Sequence, residues 1–239
     1  FANTTGFDNY YGMDEFCEAE HLGGKSQHDG TWAIWDEPFF EYYAETMDTI
    51  KEPFVTTMFS ASSHHPFRIP EKYQEIIPEG ELPIHKCVTY TDKALRAFFD
   101  KAKNSEWFKN TLFVITADHS NQTNNARYMT AAGIYEVPII FYSPDKSAPF
   151  APGMDSCTIA QQIDIMPTVL QGLNYDKKFI AFGQNLITTT AENSFAVNYN
   201  NNIYQYFKGE YMLQFDGNSA VALYNVREDK VLKENVNHQ

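Results

Sequence analysis

An unbroken apolar run, Leu112 to Thr116, constrains the fold of this chain more than any other segment. Its five residues are apolar or β-branched without alternation, which predicts a strand that is buried on both faces of a sheet. Asp118 and His119 follow directly, at the carboxyl end of the strand, where open α/β sheets bind ligands. A carboxylate beside an imidazole can bind a divalent ion such as Zn²⁺ or Mn²⁺. A capped turn with a hydrogen-bonded loop histidine is the alternative interpretation.

Helical and strand-like segments alternate along the rest of the main part of the chain. Apolar residues recur at spacings of three and four in Asp36–Ile50 and in Val88–Phe108, which predicts two helices. Short apolar runs predict strands at Phe54–Phe59 and Val137–Tyr142. A last helix is predicted to begin near Asp164, a natural N-cap residue. This order predicts an α/β fold in which a mainly parallel sheet has helices on both faces.

The C-terminal part of the chain has a different pattern. Four short strand-like runs, separated by Asn-rich or Gly-containing turns, predict a small antiparallel sheet. The runs are Ser194–Tyr199, Ile203–Phe207, Tyr211–Phe215 and Ala220–Tyr224. We therefore expect a main domain, residues 1–190, and a small antiparallel subdomain, residues 191–239, that packs on it.

Charge and composition exclude several classes of function. The net charge of −13 argues against nucleic acid as a partner, because nothing here neutralises a phosphate backbone. The three cysteines have no metal-binding spacing, and their odd number leaves at least one unpaired within the chain. No run approaches 18 consecutive apolar residues, so the sequence predicts no transmembrane helix. The sequence begins at Phe1 rather than Met and says nothing about upstream signals.

A second polar group follows the predicted Phe54–Phe59 strand. It contains Ser62, Ser63, His64 and His65. A histidine there can donate a hydrogen bond to a phosphoryl or sulfuryl oxygen, or protonate a leaving group. A capped turn in which one histidine packs is the alternative. Because two predicted strands deliver histidine to the same sheet edge, we expect both to contribute to one site.

Taken together, these motifs resemble the sulfatase-fold enzymes of the alkaline phosphatase superfamily. The segments that carry the resemblance are Ser-Ser-His-His-Pro-Phe, Thr-Ala-Asp-His, Val-Pro-Ile-Ile-Phe-Tyr and Ile-Asp-Ile-Met-Pro-Thr, in this order. The similarity covers most of Trp35–Asn235 and is closest to lipoteichoic acid synthase-like phosphoglycerol transferases. It implies an alkaline-phosphatase/sulfatase-like sandwich.

The resemblance also implies roles for individual residues. Asp118 and His119 match the metal-binding pair of the family. His64 matches the substrate-binding histidine before Pro-Phe. His65, which stands where the family often has another residue, is a further candidate for substrate binding. Arg127, close to the metal pair in sequence, is a candidate substrate contact, with a solvated loop as the alternative.

Other matched residues are interpreted as structural. Asp164 belongs to the Asp-Ile-x-Pro-Thr turn of the family and is expected to cap a helix. Trp32, Trp35 and Asp36 precede the first long helix and are expected to pack.

The resemblance places the nucleophile outside this sequence. In the family a threonine, or a modified cysteine in true sulfatases, lies on an earlier strand together with another metal-binding acid. No Cys-x-Pro-x-Arg signature occurs here, and Thr56, Thr57 and Thr116 lie within strand patterns. The chain is therefore interpreted as the C-terminal part of a longer enzyme, without a catalytic nucleophile of its own.

The resemblance implies metal-dependent transfer or hydrolysis of phosphate esters. Mn²⁺ is the expected metal, with Zn²⁺, Mg²⁺ and Ca²⁺ as alternatives. The expected substrates are lipid-linked or glycan anionic esters, such as phosphoglycerol or phosphoethanolamine head groups. The expected location is the bacterial cell envelope, on the outer face of the inner membrane, with membrane attachment through an upstream segment. A sulfatase that acts on a sugar sulfate, and a non-catalytic binding domain of the same fold, are the alternatives.

Overall fold

The computed structural model describes residues 9, 11–31, 33–145 and 152–237. Backbone packing divides the chain into two compact units, Phe1–Asn110 and Thr111–Gln239, and each is described by itself. The expected division at residue 190 remains a prediction. Trp32, interpreted above as a packing residue, lies outside the described residues.

The described residues of the first unit form three α-helices and several 3-10 turns. The helices are α1 (Met13–Cys17), α2 (Asp36–Thr49) and α3 (Pro83–Ala102). Helices α2 and α3 pack through aromatic rings, with the Phe98 ring centroid 5.7 Å from those of both Phe40 and Tyr43. The apolar period therefore predicted both long helices correctly. No helix among the described residues has the length and apolar character needed to cross a membrane.

Helix α3 is shifted from its predicted range for local reasons. It begins at Pro83, because proline is tolerated in the first turn, where its missing N–H has no intrahelical role. It ends at Ala102, where the Asn104 side chain donates to the carbonyls of Asp100 and Lys101 and so satisfies acceptors at the end of the helix. A separate 3-10 turn, Glu106–Asn110, follows.

The segment predicted as the Phe54–Phe59 strand is not part of any sheet in the described residues. Its side chains nevertheless alternate, since Val55 and Phe59 are 80% and 74% exposed while Phe54 and Met58 are half-buried. The Thr56 hydroxyl lies 2.6 Å from that of Tyr43. The sequence thus has a strand pattern here, but a strand is formed only when a neighbouring strand pairs with it.

In the second unit, the residues that the structure describes before the C-terminal sheet form a two-stranded sheet and one α-helix. Strands β1 (Phe113–Thr116) and β2 (Ile139–Tyr142) pair antiparallel, with Phe113 opposite Tyr142. The strand order had predicted parallel neighbours. A parallel pair needs a crossover, usually a helix, but only the 3-10 turn Gly133–Tyr135 lies between these strands. Strand β1 is half-buried rather than enclosed on both faces. Helix α4 (Ile165–Gly172) follows.

The predicted C-terminal antiparallel sheet is confirmed. Its strands are β3 (Phe195–Asn200), β4 (Ile203–Lys208), β5 (Tyr211–Phe215) and β6 (Ala220–Asn225), adjacent in chain order. Asn201 and Asn202, both with positive φ, form the tight turn between β3 and β4, and Asn tolerates this conformation well.

Candidate functional site

The Asp-His pair lies at the exposed end of strand β1. Asp118 Oδ1 accepts a hydrogen bond from the His119 amide at 2.9 Å, and His119 Nδ1 lies 2.6 Å from the Ser120 carbonyl oxygen. Since a carbonyl oxygen can only accept, Nδ1 carries the proton, and Nε2 of the neutral ring keeps a lone pair. This arrangement is the usual one for a metal-binding histidine.

The spacing of the pair fits a shared metal ion. His119 Nε2 and Asp118 Oδ2 lie 3.5 Å apart. Two ligand atoms that are each about 2.1 Å from a tetrahedral ion are about 3.4 Å from each other. Both side chains are substantially exposed, at 48% for His119 and 63% for Asp118. The described residues contain no group of three or more His, Cys, Asp or Glu that could hold a metal, so an ion bound by this pair would need further ligands.

Contacts on both sides hold this loop. The Ser120 amide and hydroxyl both donate to the Ile134 carbonyl at 2.9 Å. The Gln162 amide donates to the carbonyls of Ala117 and Asp118, at 3.2 and 3.3 Å. These bonds fix the backbone of the pair and leave the carboxylate and imidazole at the surface.

Arg127, the candidate substrate contact, forms an ion pair in this structure. Its Nε donates to Glu136 Oε2 at 2.8 Å, and its Nη2 contacts Glu136 Oε1. Gly133 is required nearby, because a Cβ there would clash with the Arg127 carbonyl. An anionic ester would have to compete with Glu136 for this guanidinium, and a role for Arg127 towards substrate remains a prediction.

His64 and His65 lie in the first unit, on the loop that follows residue 60. The His64 amide donates to the Ala61 carbonyl at 3.0 Å, the Phe67 amide donates to the His64 carbonyl at 3.0 Å, and His64 Nδ1 lies 2.9 Å from the His65 carbonyl oxygen. The His65 ring packs edge-on against Phe67, at 5.6 Å between centroids. The geometry thus gives the two histidines different surroundings.

The His64 side chain lines a small recess of the first unit. The other residues around it are Asp29, Thr31, Trp35, Ala61, Ser62, Pro66 and Arg68. The sequence does not indicate a role for Arg68, because a basic residue two positions after His-Pro is not part of a recognisable motif. Only the turn of the loop places its side chain on the same recess as His64.

Asp164 has a structural capping role, as the sequence predicted, but the element that it caps is a different one. It is fully buried, and its carboxylate accepts from the amides of Gln161 at 2.9 Å and Gln184 at 2.6 Å. It therefore caps the 3-10 turn before α4 and attaches a distant segment, rather than capping α4 itself. Gly183 is needed beside it, because a Cβ would clash with the Ile163 carbonyl.

The cysteines of the described residues are all free thiols. Cys87 is buried beneath the His64 loop, and its thiol lies 3.5 Å from the Arg68 carbonyl. Burial, with the nearby Asp36 charge, raises the pKa of Cys87 to about 11. A thiol that stays protonated at neutral pH is a poor nucleophile, and Cys87 is a packing residue.

The fold of the chain is similar to that of solved structures. A protein of the alkaline phosphatase superfamily from Vibrio parahaemolyticus superimposes with a TM-score of 0.74 and 24% identity, over 91% of this chain and 51% of that one. A lipoteichoic acid synthase from Listeria monocytogenes gives a TM-score of 0.70 and 23% identity, over 93% of this chain and 58% of that one. The fold is therefore that of the alkaline phosphatase superfamily, as expected.

The family follows from sequence similarity. Residues 1–175 match the Sulfatase family, and the chain belongs to that family. It is similar to lipoteichoic acid synthase 1 of Bacillus subtilis, with 24% identity over the whole chain, and to phosphoglycerol transferase I of Xanthomonas euvesicatoria, with 23% identity over 82% of the chain. The chain spans 39% and 29% of the lengths of these relatives.

Proposed function

We propose that the whole protein transfers or hydrolyses a phosphate ester, with a phosphoglycerol or phosphoethanolamine head group as the transferred group. The proposal rests on one observation above all, the 3.5 Å spacing of His119 Nε2 and Asp118 Oδ2 at the end of β1 in a member of the Sulfatase family. The names of the relatives, lipoteichoic acid synthase and phosphoglycerol transferase, support a phosphate rather than a sulfate ester.

In this proposal Asp118 and His119 hold one divalent ion. Mn²⁺ is the proposed metal, and Zn²⁺, Mg²⁺ and Ca²⁺ are the alternatives. The ion would supply positive charge to activate a nucleophile and to stabilise the anionic transition state. Asp118 contributes a hard oxygen ligand, and the Ser120 carbonyl orients the His119 ring through Nδ1. The nucleophile is a threonine outside this chain.

His64 would bind the anionic group of the substrate. Its Nδ1 proton is directed to the His65 carbonyl oxygen, so Nε2 donates to an anionic oxygen only when the ring carries a second proton. Arg68 would add a second cationic group on the same recess. His65, whose ring packs on Phe67, would act through the loop rather than on the substrate.

The proposed substrates are lipid-linked, and the proposed location is the outer face of the bacterial inner membrane. Attachment to the membrane would be through a segment outside this chain. Nucleic acid is not a proposed partner, because the chain carries a net charge of −13.

The test is ester cleavage by the full-length protein, stripped of metal and supplied with Mn²⁺, Zn²⁺, Mg²⁺ or Ca²⁺ in turn. A glycerol phosphodiester and an aryl sulfate serve as substrates. Asp118→Ala and His119→Ala should each abolish a metal-dependent phosphodiesterase activity, whereas Asp216→Ala, an aspartate in the β5–β6 turn, should not. Sulfatase activity alone would assign the protein to the sugar sulfatases. Neither activity, together with no metal binding, would indicate a binding domain.

A further inference from the structure

The loop that carries His64 is anchored by a buried carboxylate. Asp36, the first residue of α2, is 1% exposed. Its Oδ1 accepts hydrogen bonds from the amides of Ala61 at 3.0 Å and Ser62 at 3.1 Å, and its Oδ2 accepts one from the Thr91 hydroxyl at 2.7 Å. A carboxylate that receives three hydrogen bonds in a buried site is held strongly, because bonds to an ionised acceptor are about twice as strong as neutral ones.

The contact between Asp36 and Ser62 is reciprocal. The Asp36 amide donates to the Ser62 hydroxyl oxygen at 3.0 Å, while the Ser62 amide donates to the Asp36 carboxylate. The Asp36 amide is one of the N-terminal donors of α2 that have no partner within the helix. The loop therefore caps the helix, and the helix fixes the loop. The carboxylate also lies in the first helical turn, where negative charge is favourable.

A second anchor lies on the other side of His64. Phe67 packs against a core cluster formed by Ile69, Ile77, Cys87 and Tyr90. Phe67 has a φ of 61°, a conformation that a bulky residue adopts only when its surroundings hold it there. His64 thus lies between two fixed points of the loop, the Asp36 contacts at Ala61–Ser62 and the core at Phe67–Ile69.

We propose that Asp36 is the positioning residue of the proposed substrate site, holding the His64 loop in the geometry that binds the anionic ester. The inference rests on the proposed function of His64. Asp36 does not touch the substrate. It acts through the backbone of Ala61 and Ser62, which determines where the His64 imidazole lies. The packing role expected from the sequence is therefore incomplete.

The test compares steady-state kinetics of variants of the full-length protein. Asp36→Asn keeps one acceptor for the loop amides but loses the charge and the acceptor for Thr91, and Asp36→Ala loses all three contacts. We expect KM to rise about threefold for Asn and at least about tenfold for Ala, with kcat changed less than about twofold. Asp48→Asn, a carboxylate at the other end of α2 that accepts from Trp107 Nε1, is the matched control and should leave KM unchanged.

A double-mutant cycle with His64→Ala separates positioning from a general loss of structure. If Asp36 acts through His64, Asp36→Asn should have no further effect on KM in the His64→Ala background. An unchanged KM in Asp36→Asn, or a KM effect that persists without His64, would overturn the proposal. Should Asp36→Ala not fold, the Asn variant and the cycle carry the test alone.

A wild-type protein without ester activity would refute the proposed function but would still allow the Asp36 inference to be tested. The His64 imidazole shifts in an NMR titration with inorganic phosphate then report anion binding directly. A phosphate affinity about threefold weaker in Asp36→Asn, with faster amide exchange at Ala61 and Ser62, supports the positioning role. Equal affinities and exchange rates, or no response of His64 in the wild type, would overturn it.

Discussion

The loop after residue 60 and the loop after β1 both carry histidines, but they are held in opposite ways. The first is fixed from inside by Asp36, which is almost fully buried, whereas the second presents its own carboxylate, Asp118, to the surface. In the first loop the Asp36 carboxylate accepts hydrogen bonds from two backbone amides and a hydroxyl. In the second the Asp118 carboxylate accepts a hydrogen bond from the neighbouring His119 amide, and its Oδ2 lies beside the imidazole. The Asp36 carboxylate therefore fixes the backbone of its loop, whereas the Asp118 carboxylate lies at the surface.

The comparison explains why an Asp-His pair can be recognised in a sequence while a positioning acid cannot. Asp118 and His119 are neighbours in the chain, so the pair is a local pattern. A buried acid needs donors from elsewhere in the chain, and those of Asp36 come from residues 61, 62 and 91. The spacing of those residues follows from tertiary packing.

The largest expected effect is the loss of stability when the Asp36 carboxylate is removed, and its absence would contradict the difference between the two loops. Asp36→Ala leaves two loop amides and a hydroxyl without their acceptor, and should lower the free energy of unfolding of the first unit by about 3 kcal/mol. Asp118→Ala in metal-free protein should change that of the second unit by less than about 0.5 kcal/mol, because the side chain is exposed. Hydrogen exchange resolved by peptide measures both. Equal losses in the two variants would contradict the contrast.

In the second unit, buried Asp164 and exposed Asp216 allow the same comparison of a buried with an exposed carboxylate. Asp164→Ala removes the acceptor of the Gln161 and Gln184 amides and should cost about 2 kcal/mol, visible as faster exchange in both segments. Asp216→Ala, in an exposed turn, is the control and should cost about 0.5 kcal/mol or less. A small effect at Asp164 would show that burial of a carboxylate does not by itself predict a structural role here.

Arg68 tests whether the fixed loop is also a binding surface. Arg68→Ala should raise KM for an anionic ester about tenfold, equivalent to about 1.4 kcal/mol, without changing thermal stability, and Arg68→Lys should restore part of the affinity. Arg96→Ala, on the exposed side of α3, is the matched control. If both arginine variants behave alike, the recess does not select anions through Arg68.

The smallest effect concerns ion pairs that join α2 to α3. Lys101 contacts Glu41 at 3.0 Å and Glu45 at 2.7 Å. Burial disfavours the charged forms of both Glu45 and Lys101. For Glu45, hydrogen bonds from Lys101 and His21 outweigh burial and lower the pKa. For Lys101, hydrogen bonds to Glu45 and Glu41 outweigh burial and raise the pKa. Lys101→Met should cost about 0.5 kcal/mol at pH 7, because the pairs are partly exposed.

The direction of these pKa shifts fixes the pH dependence of that contribution. The part due to Glu45 is present above the pKa of an unfolded glutamate and is lost as the pH falls through the lowered folded pKa. The part due to Lys101 is present below the pKa of an unfolded lysine and is lost as the pH rises through the raised folded pKa. Denaturation of wild type and Lys101→Met from pH 3 to 11 measures both, and a difference that does not shrink at either extreme would exclude the ion pairs as its cause.

Local patterns in the sequence predicted much of the fold. The apolar periods of three and four residues predicted α2 and α3, since one face of each helix must be buried. The alternating runs and Asn or Gly turns predicted the four C-terminal strands. The short motifs carried the family resemblance, which the family match confirmed. The Asp118–His119 pair could be proposed because its two members are neighbours in the chain.

Tertiary structure decided what depends on partners distant in sequence. The antiparallel pairing of β1 with β2 depends on the path between them, and the Arg127–Glu136 pair on how that path turns. The role of Asp36 was fixed only when a loop and a second helix brought it two amides and a hydroxyl. Periodicity records which face of an element is buried, but it does not record the partner against which that face packs. Sequence therefore determined the elements and the adjacency of Asp118 and His119, and packing alone determined that Asp36 is buried and Asp118 is exposed.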